Sequence, residues 1–204
     1  MNFCRRVGDG IWLALTRDDA AGPGPVSLRH QRDRAASARA EALAVRALGL
    51  APEACAASRA HTQGTGASLV APAPARLGVD LVSLERVTPR HATSILGVRE
   101  WNALAPYASI RPALAWALKE AAAKASGEPL RFFPAGVVLE AVPGGLVARL
   151  VKQGTLATGW LGFGDLLCAW VVRPLQDPPG SSDPDLRGHE HGNEARALTR
   201  PMTR

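Results

Sequence analysis

The chain has 204 residues, of which 47% are hydrophobic, and its 24 Lys and Arg outnumber its 18 Asp and Glu for a formal net charge of +6. This composition is typical of a globular protein and excludes a chain that is disordered throughout. No apolar run approaches the ~20 residues of a membrane-spanning helix, and the N-terminal segment has no sustained apolar stretch typical of a secretory signal. We therefore expect a soluble, cytoplasmic protein that makes no membrane contact.

The first part of the chain is predicted to contain one short strand and one long helix. The strand covers residues 9–15 and the helix residues 27–50, where leucines recur among alanines and arginines as in an amphipathic helix. Gly49 is a suitable stop signal for that helix. The proline-punctuated residues 71–75 then predict a junction between two halves of the chain.

The second part is predicted to begin with a strand over 77–84 and to continue with helices over 98–104 and 111–126. Four further apolar segments, separated by Gly and Pro, have the spacing of strands in an antiparallel meander. They cover residues 132–141, 146–151, 156–161 and 167–172. Helices and strands combined in this way in both parts of the chain indicate an α+β fold.

Residues 174–204 differ in composition from the rest of the chain. They contain five prolines and few large apolar residues, so we expect a disordered tail. The first 173 residues hold 20 basic and 13 acidic residues, which gives them a net charge of +7. The predicted folded part is therefore the basic part.

The predicted helix over 111–126 carries a group of charged residues at helical spacing. Trp116, Glu120 and Lys124 are four residues apart and therefore share one face, and Lys119 is placed one position round the same surface. An ordinary surface pair of Glu and Lys would account for this pattern on its own. The strand that precedes the helix gives a reason to consider a functional site here as well.

Asp80 stands in an otherwise apolar strand. An unpaired carboxylate buried there would be costly, so Asp80 needs a partner. The partner could be an arginine, or it could be a divalent cation shared with Glu120. Mg²⁺ is usually held by one or two carboxylates, with waters and substrate phosphates at its other positions.

Two segments together resemble the signature pair of the 4'-phosphopantetheinyl transferases: GVDLVSLERV at 78–87 and WALKEAAAK at 116–124. In the first half, Arg32 and the segment SRAH at 58–61 resemble the arginine helix and the SxSH element of the larger, surfactin-synthetase-associated type. Further matching positions are Glu100-Trp101, Phe133-Pro134 and Cys168-Ala169.

The resemblance implies a fold of two pseudo-symmetric halves, residues 1–75 and 76–173, each with a small antiparallel sheet packed on a principal helix. Coenzyme A would lie in the cleft between them. The implied reaction transfers the 4'-phosphopantetheine arm of coenzyme A to a serine of an apo acyl or peptidyl carrier protein, depends on Mg²⁺ and releases 3',5'-ADP. We expect the protein to be a monomer.

The resemblance also implies roles for individual residues. Asp80 and Glu120 would bind the Mg²⁺ ion, and Lys124 would stabilise the leaving phosphate. Glu120, or a water held by it or by Mg²⁺, would accept the serine proton. The larger type carries an acid at the position of Val82, whereas the small acyl-carrier-protein synthase type has none there, so this sequence has two protein carboxylates for the metal.

Four basic or ionisable residues complete the implied site. Lys119 and His61 would contact the phosphates of coenzyme A, and Arg32 its adenine and 3'-phosphate end. Arg86 is at a position that faces the carrier protein in the small type. Carrier proteins are typically acidic, and a folded part with a charge of +7 would attract one through long-range electrostatics.

Two other classes of function are considered. Nucleic-acid binding is not favoured, because the chain has one Tyr, four Phe, no zinc-ligand spacing and no RNA-binding signature. A noncatalytic homologue that binds coenzyme A or a carrier protein is the stronger alternative. Against it stand Asp80, Glu120 and Lys124, which a protein that only binds would not need for handling metal and phosphate.

Overall fold

A computed structural model describes residues 2–18, 26–127, 136–150 and 153–173. The tail predicted over 174–204 and the Phe133-Pro134 positions lie outside the described residues. Within the described part, no helix is both long enough and apolar enough to cross a membrane.

The first sheet has four antiparallel strands in the order β1-β2-β4-β3. These are β1 (Asn2–Gly8), β2 (Ile11–Arg17), β3 (Cys55–Thr62) and β4 (Thr65–Pro72). The single strand predicted over 9–15 is corrected to a hairpin, since Asp9 and Gly10 form the turn between β1 and β2. Gly10 has a φ of 66° there, a left-handed conformation that favours glycine.

Helix α1 (Val26–Leu48) connects β2 to β3 and packs on this sheet. It confirms the helix predicted over 27–50 and ends where Gly49 adopts a φ of 75°. Its buried face consists of small residues four positions apart, Ala36, Ala40 and Ala44. Such residues let the helix backbone lie very close to the strands.

The second sheet has five antiparallel strands in the order β5-β9-β8-β7-β6. These are β5 (Arg76–Ser83), β6 (Val137–Val142), β7 (Gly145–Leu150), β8 (Gly154–Phe163) and β9 (Leu166–Arg173). Strands β6 to β9 confirm the predicted meander, because each pairs with the next along the chain. Strand β5 confirms the strand predicted over 77–84 and pairs with β9.

The described residues between β5 and β6 form three helices, namely α2 (Pro89–Ile95), α3 (Val98–Ala103) and α4 (Arg111–Ser126). Helices α3 and α4 were predicted, whereas α2 was not. Short 3₁₀ turns occur at Pro52–Ala54 and Ala105–Tyr107. Helix α4 ends at Gly127, whose φ is 70°.

The two sheets pack against each other, and each carries its long helix on the opposite face. Leu15 and Leu69 of the first sheet share one core with Val79 and Cys168 of the second. The other face of the second sheet, including Val82, packs with α4. This arrangement confirms the α+β fold of two sheet-and-helix halves.

Candidate functional site

Strand β5 and helix α4 lie in direct contact at Gly78. A Cβ atom at this position would run into the backbone carbonyl of Ala121, so only glycine allows so close an approach. Asp80 is two residues further along β5 and therefore on the same face of the strand. This contact brings Asp80 beneath the part of α4 that carries Glu120 and Lys124.

Asp80 finds its partner on α4. The ammonium of Lys124 is 2.8 Å from Oδ1 of Asp80, and the same nitrogen donates a hydrogen bond of 2.9 Å to the carbonyl oxygen of Val79. The Asp80 side chain is 14% exposed and that of Lys124 is 31% exposed. The partner is thus a lysine instead of the arginine considered above, and it keeps contact with solvent.

Glu120 is half-buried one helical turn before Lys124. Burial raises the pKa of Glu120, the neighbouring Asp80 carboxylate raises it further, and the Lys124 ammonium lowers it. Glu120 is therefore close enough to the Asp80 carboxylate and to the Lys124 ammonium for both charges to act on it. The site has an excess of negative charge, which a cation would neutralise.

The donor set fits Mg²⁺. The described residues contain no group of three or more His, Cys, Asp or Glu side chains suited to a metal. Val82, at the position where the larger type carries an acid, is 8% exposed and packed in the core under α4. Asp80 and Glu120 are two carboxylates that could hold such an ion, and Mg²⁺ accepts a pair of this kind because water and phosphate oxygens complete its shell.

Lys119 does not reach this group, and its predicted contact with coenzyme A phosphates is corrected. Its side chain is 2% exposed and its ammonium lies 2.7 Å from Oε1 of Glu100. The same nitrogen donates a hydrogen bond of 2.8 Å to the carbonyl oxygen of Val137. Successive helical residues are turned by about 100°, so Lys119 points into the protein while Glu120 points towards Asp80.

Burial lowers the pKa of Lys119, while the hydrogen bond and charge of Glu100 raise it. The sequence marked Glu100 only as a matching family position. Its contact with Lys119 joins residues 19 positions apart in the chain, and no local spacing pattern reveals such a pair.

His61 on β3 and Arg32 on α1 both belong to the first half. Nδ1 of His61 is 3.8 Å from Oδ2 of Asp33, and Oδ1 of that aspartate accepts a hydrogen bond of 2.6 Å from the backbone nitrogen of Gly64. Arg32 precedes Asp33 on α1 and is half-buried. Their contacts with coenzyme A remain predictions.

Arg86 follows β5 in an exposed turn that leads into α2. Arg90 on α2 is exposed as well. The turn begins directly after the strand that carries Asp80. A protein bound to Arg86 would thus contact the segment that follows the strand of Asp80, and the role of Arg86 in carrier binding remains a prediction.

A groove of about 340 Å³ lies where the two halves meet. Its walls are β3, the beginning of β5 and the end of α4 from Lys124 to Gly127. The halves are joined beside it, because the backbone nitrogen of Val79 donates a hydrogen bond of 3.1 Å to Oγ of Ser58. The family resemblance implied a cleft between the halves, but sequence analysis did not predict its lining, since small residues such as Ala56 and Ala57 carry no chemical signature.

Residues 76–143 match the model of the 4'-phosphopantetheinyl transferase superfamily. The matched segment contains Asp80 on β5 and both Glu120 and Lys124 on α4, and it confirms the resemblance seen in the sequence. No curated protein matches the chain.

Proposed function

We propose that this chain acts as a 4'-phosphopantetheinyl transferase, because residues 76–143 match the model of that superfamily. Its substrates would be coenzyme A and an apo carrier protein, and its products the modified carrier and 3',5'-ADP. The observation that carries the proposal is the meeting of Asp80, Glu120 and Lys124 at one point of the matched segment. Two carboxylates can hold a metal ion and an ammonium can stabilise phosphate charge, and a metal-assisted transfer from a pyrophosphate uses both functions.

The groove between the halves is the proposed place for coenzyme A. Lys124 lies on its wall, so a pyrophosphate bound there would be within reach of the ammonium. Arg76 lines the same groove and adds positive charge. His61 and Arg32 on the first half are the further candidates for the phosphates of coenzyme A.

Asp80 and Glu120 are the residues proposed to hold Mg²⁺. When bound, the ion would supply positive charge to the pyrophosphate oxygens, on which negative charge grows as the bond breaks. Lys124 is suited to the leaving group. Because its side chain is 31% exposed, its ammonium can donate a hydrogen bond to an oxygen of the departing 3',5'-ADP.

Glu120 is also the proposed acceptor of the serine proton, either directly or through a water that it holds. It is a half-buried carboxylate beside Asp80 and Lys124, and a carboxylate within hydrogen-bond reach of a serine hydroxyl can accept its proton. In this step the serine oxygen forms a bond to phosphorus, the bond from phosphorus to 3',5'-ADP breaks, and the serine proton passes to the base.

Intact-mass spectrometry of apo carrier proteins tests the proposal. Fatty-acid, polyketide and peptide-synthase carriers are incubated with the full chain, coenzyme A and Mg²⁺, with and without EDTA. We expect a gain of about 340 Da on at least one carrier, and its loss with EDTA. Absence of any gain, in a protein that still binds coenzyme A, would contradict the proposal and favour the noncatalytic homologue.

A further inference from the structure

The ion pair between Lys119 and Glu100 is the most deeply buried charged contact that the described residues contain. The carboxylate of Glu100 also accepts hydrogen bonds from the backbone nitrogen of Gly97, at 2.9 Å, and from that of Leu139, at 3.0 Å. With the bond from Lys119 to Val137 at 2.8 Å, the pair connects α4, the start of α3 and strand β6.

Helix α4 needs such a connection because the side chains on its packing surface are mostly small. Most of its buried residues are alanines, and Leu114 and Leu118 are its only large apolar side chains that are completely buried. Alanine allows a close approach but offers little that interlocks with a neighbour and resists sliding or rotation. Directional hydrogen bonds from a buried polar group can supply that missing specificity.

The helix is fixed on two sides of the second sheet. Towards one edge strand, β5, it is held by the close approach at Gly78 and by Lys124 bonded to Asp80. Towards the other edge strand, β6, it is held by Lys119. Two attachments on opposite sides determine both the rotation of α4 about its axis and its position along that axis.

We propose that the Lys119–Glu100 pair is a positioning device that sets the location of Glu120 relative to Asp80. Lys119 and Glu120 are adjacent in α4, so any rotation that releases Lys119 also moves the Glu120 carboxylate. The inference rests on the proposed function, because it concerns the metal ligands of that function. Neither Lys119 nor Glu100 contacts substrate in this scheme.

Metal affinity tests the inference without relying on turnover. Mn²⁺, which shares the oxygen preference of Mg²⁺, is titrated into the full chain and followed by electron paramagnetic resonance. The main variant combines Lys119→Met with Glu100→Gln, which removes both charges and leaves neither buried alone. We expect Mn²⁺ to bind about 10-fold more weakly per folded molecule, and kcat to fall with little change in the KM for the carrier.

A matched control separates positioning from general loss of stability. Thr158 donates a hydrogen bond of 2.6 Å to the carbonyl oxygen of Leu146 in the same sheet. Thr158→Val removes this bond and should lower the unfolding midpoint while Mn²⁺ affinity stays at the wild-type value. If the double variant also keeps wild-type Mn²⁺ affinity and kcat while its unfolding midpoint falls, the positioning role is overturned and the proposed function stands.

A second comparison tests the metal assignment itself. Asp80→Asn should remove the Mn²⁺ site of the wild-type protein. If Asp80→Asn binds Mn²⁺ as the wild type does, or if the wild type binds none, the metal assignment fails and the positioning role fails with it. The wild-type and Asp80→Asn titrations therefore identify a failure of the proposed function separately from a failure of the inference.

Discussion

Glu120 is under opposing electrostatic influences from its two neighbours on the site. Burial and the Asp80 carboxylate both favour its protonated form, and the Lys124 ammonium favours its ionised form. The net effect is a pKa above the ordinary value for glutamate. An ionised Glu120 is consequently a cost to the folded protein that a bound cation would relieve.

Replacing Glu120 with glutamine is expected to stabilise the metal-free protein and to abolish transfer. The folded-state pKa of Glu120 is raised, so the wild type loses stability as the pH rises from the ordinary pKa of glutamate through the raised one. Glu120→Gln does not ionise. Its unfolding midpoint without metal should exceed that of the wild type at pH 8, and the difference should shrink towards pH 4.

Transfer by Glu120→Gln should fall by at least about 100-fold, since both the metal ligand and the proposed base are lost. Thermal unfolding at several pH values and the mass-spectrometric assay measure the two effects. Wild-type turnover by this variant would remove Glu120 from the proposed site.

Asp80→Ala is expected to abolish transfer while the protein remains folded. The variant leaves Lys124 without its carboxylate, but a side chain that is 31% exposed can turn its ammonium to water. Circular dichroism checks that the variant remains folded, and the transfer assay measures its loss of activity. Asp9→Ala is the matched control, because Asp9 lies in an exposed turn of the first half, and it should keep full activity.

At the scale of single elements, glycines determine how closely the helices approach the sheets. A Cβ at Gly66 would collide with the backbone of α1 at Ala36 and Ser37, and a Cβ at Gly78 would collide with α4. The two halves therefore use the same device, a glycine on a strand beneath an alanine-rich helix. In the second half this device also places Asp80 beside Glu120.

Gly78→Ala is expected to push α4 away from β5 and to destabilise the protein by about 1–3 kcal/mol, the usual cost of an overpacked core. Gly162→Ala is the matched control, because a Cβ there would meet nothing within 4 Å. Urea unfolding of both variants measures the difference. Equal stability of the two variants would contradict the close contact between Gly78 and α4.

Three of the elements that sequence analysis missed each have a physical reason for it. Strand β4 is buried on both faces from Thr65 to Ala71, so it shows no alternation of apolar and polar residues. Strand β3 consists mostly of small residues, which have low strand propensity. Helix α2 has only seven residues, too few for a helical period to be recognised.

At the scale of the whole molecule, the excess of positive charge bears on how an acidic carrier protein would be attracted. The first 173 residues carry a net charge of +7, which would attract an acidic carrier from any direction. An exposed arginine next to the site would add local recognition to this general attraction. Arg86, in the turn after β5, is the candidate.

Arg86→Glu is expected to raise the KM for the carrier protein far more than the KM for coenzyme A, because it reverses a charge at the proposed docking surface. Arg46→Glu is the matched control. Arg46 is exposed at the end of α1, and its replacement changes the net charge equally. Steady-state kinetics with each substrate varied measure both constants, and equal carrier KM values for the two variants would remove Arg86 from the docking surface.

The sequence by itself determined the α+β class, the long helices, the meander and the three residues Asp80, Glu120 and Lys124, because local periodicity and a characteristic motif carry that information. It could not determine which way each charged side chain of α4 points. Lys119 and Glu120 are neighbours in the chain, yet only packing turns one into the protein towards Glu100 and the other towards Asp80. The lining of the groove between the halves was likewise decided by tertiary structure, since its residues come from distant segments that only the fold brings together.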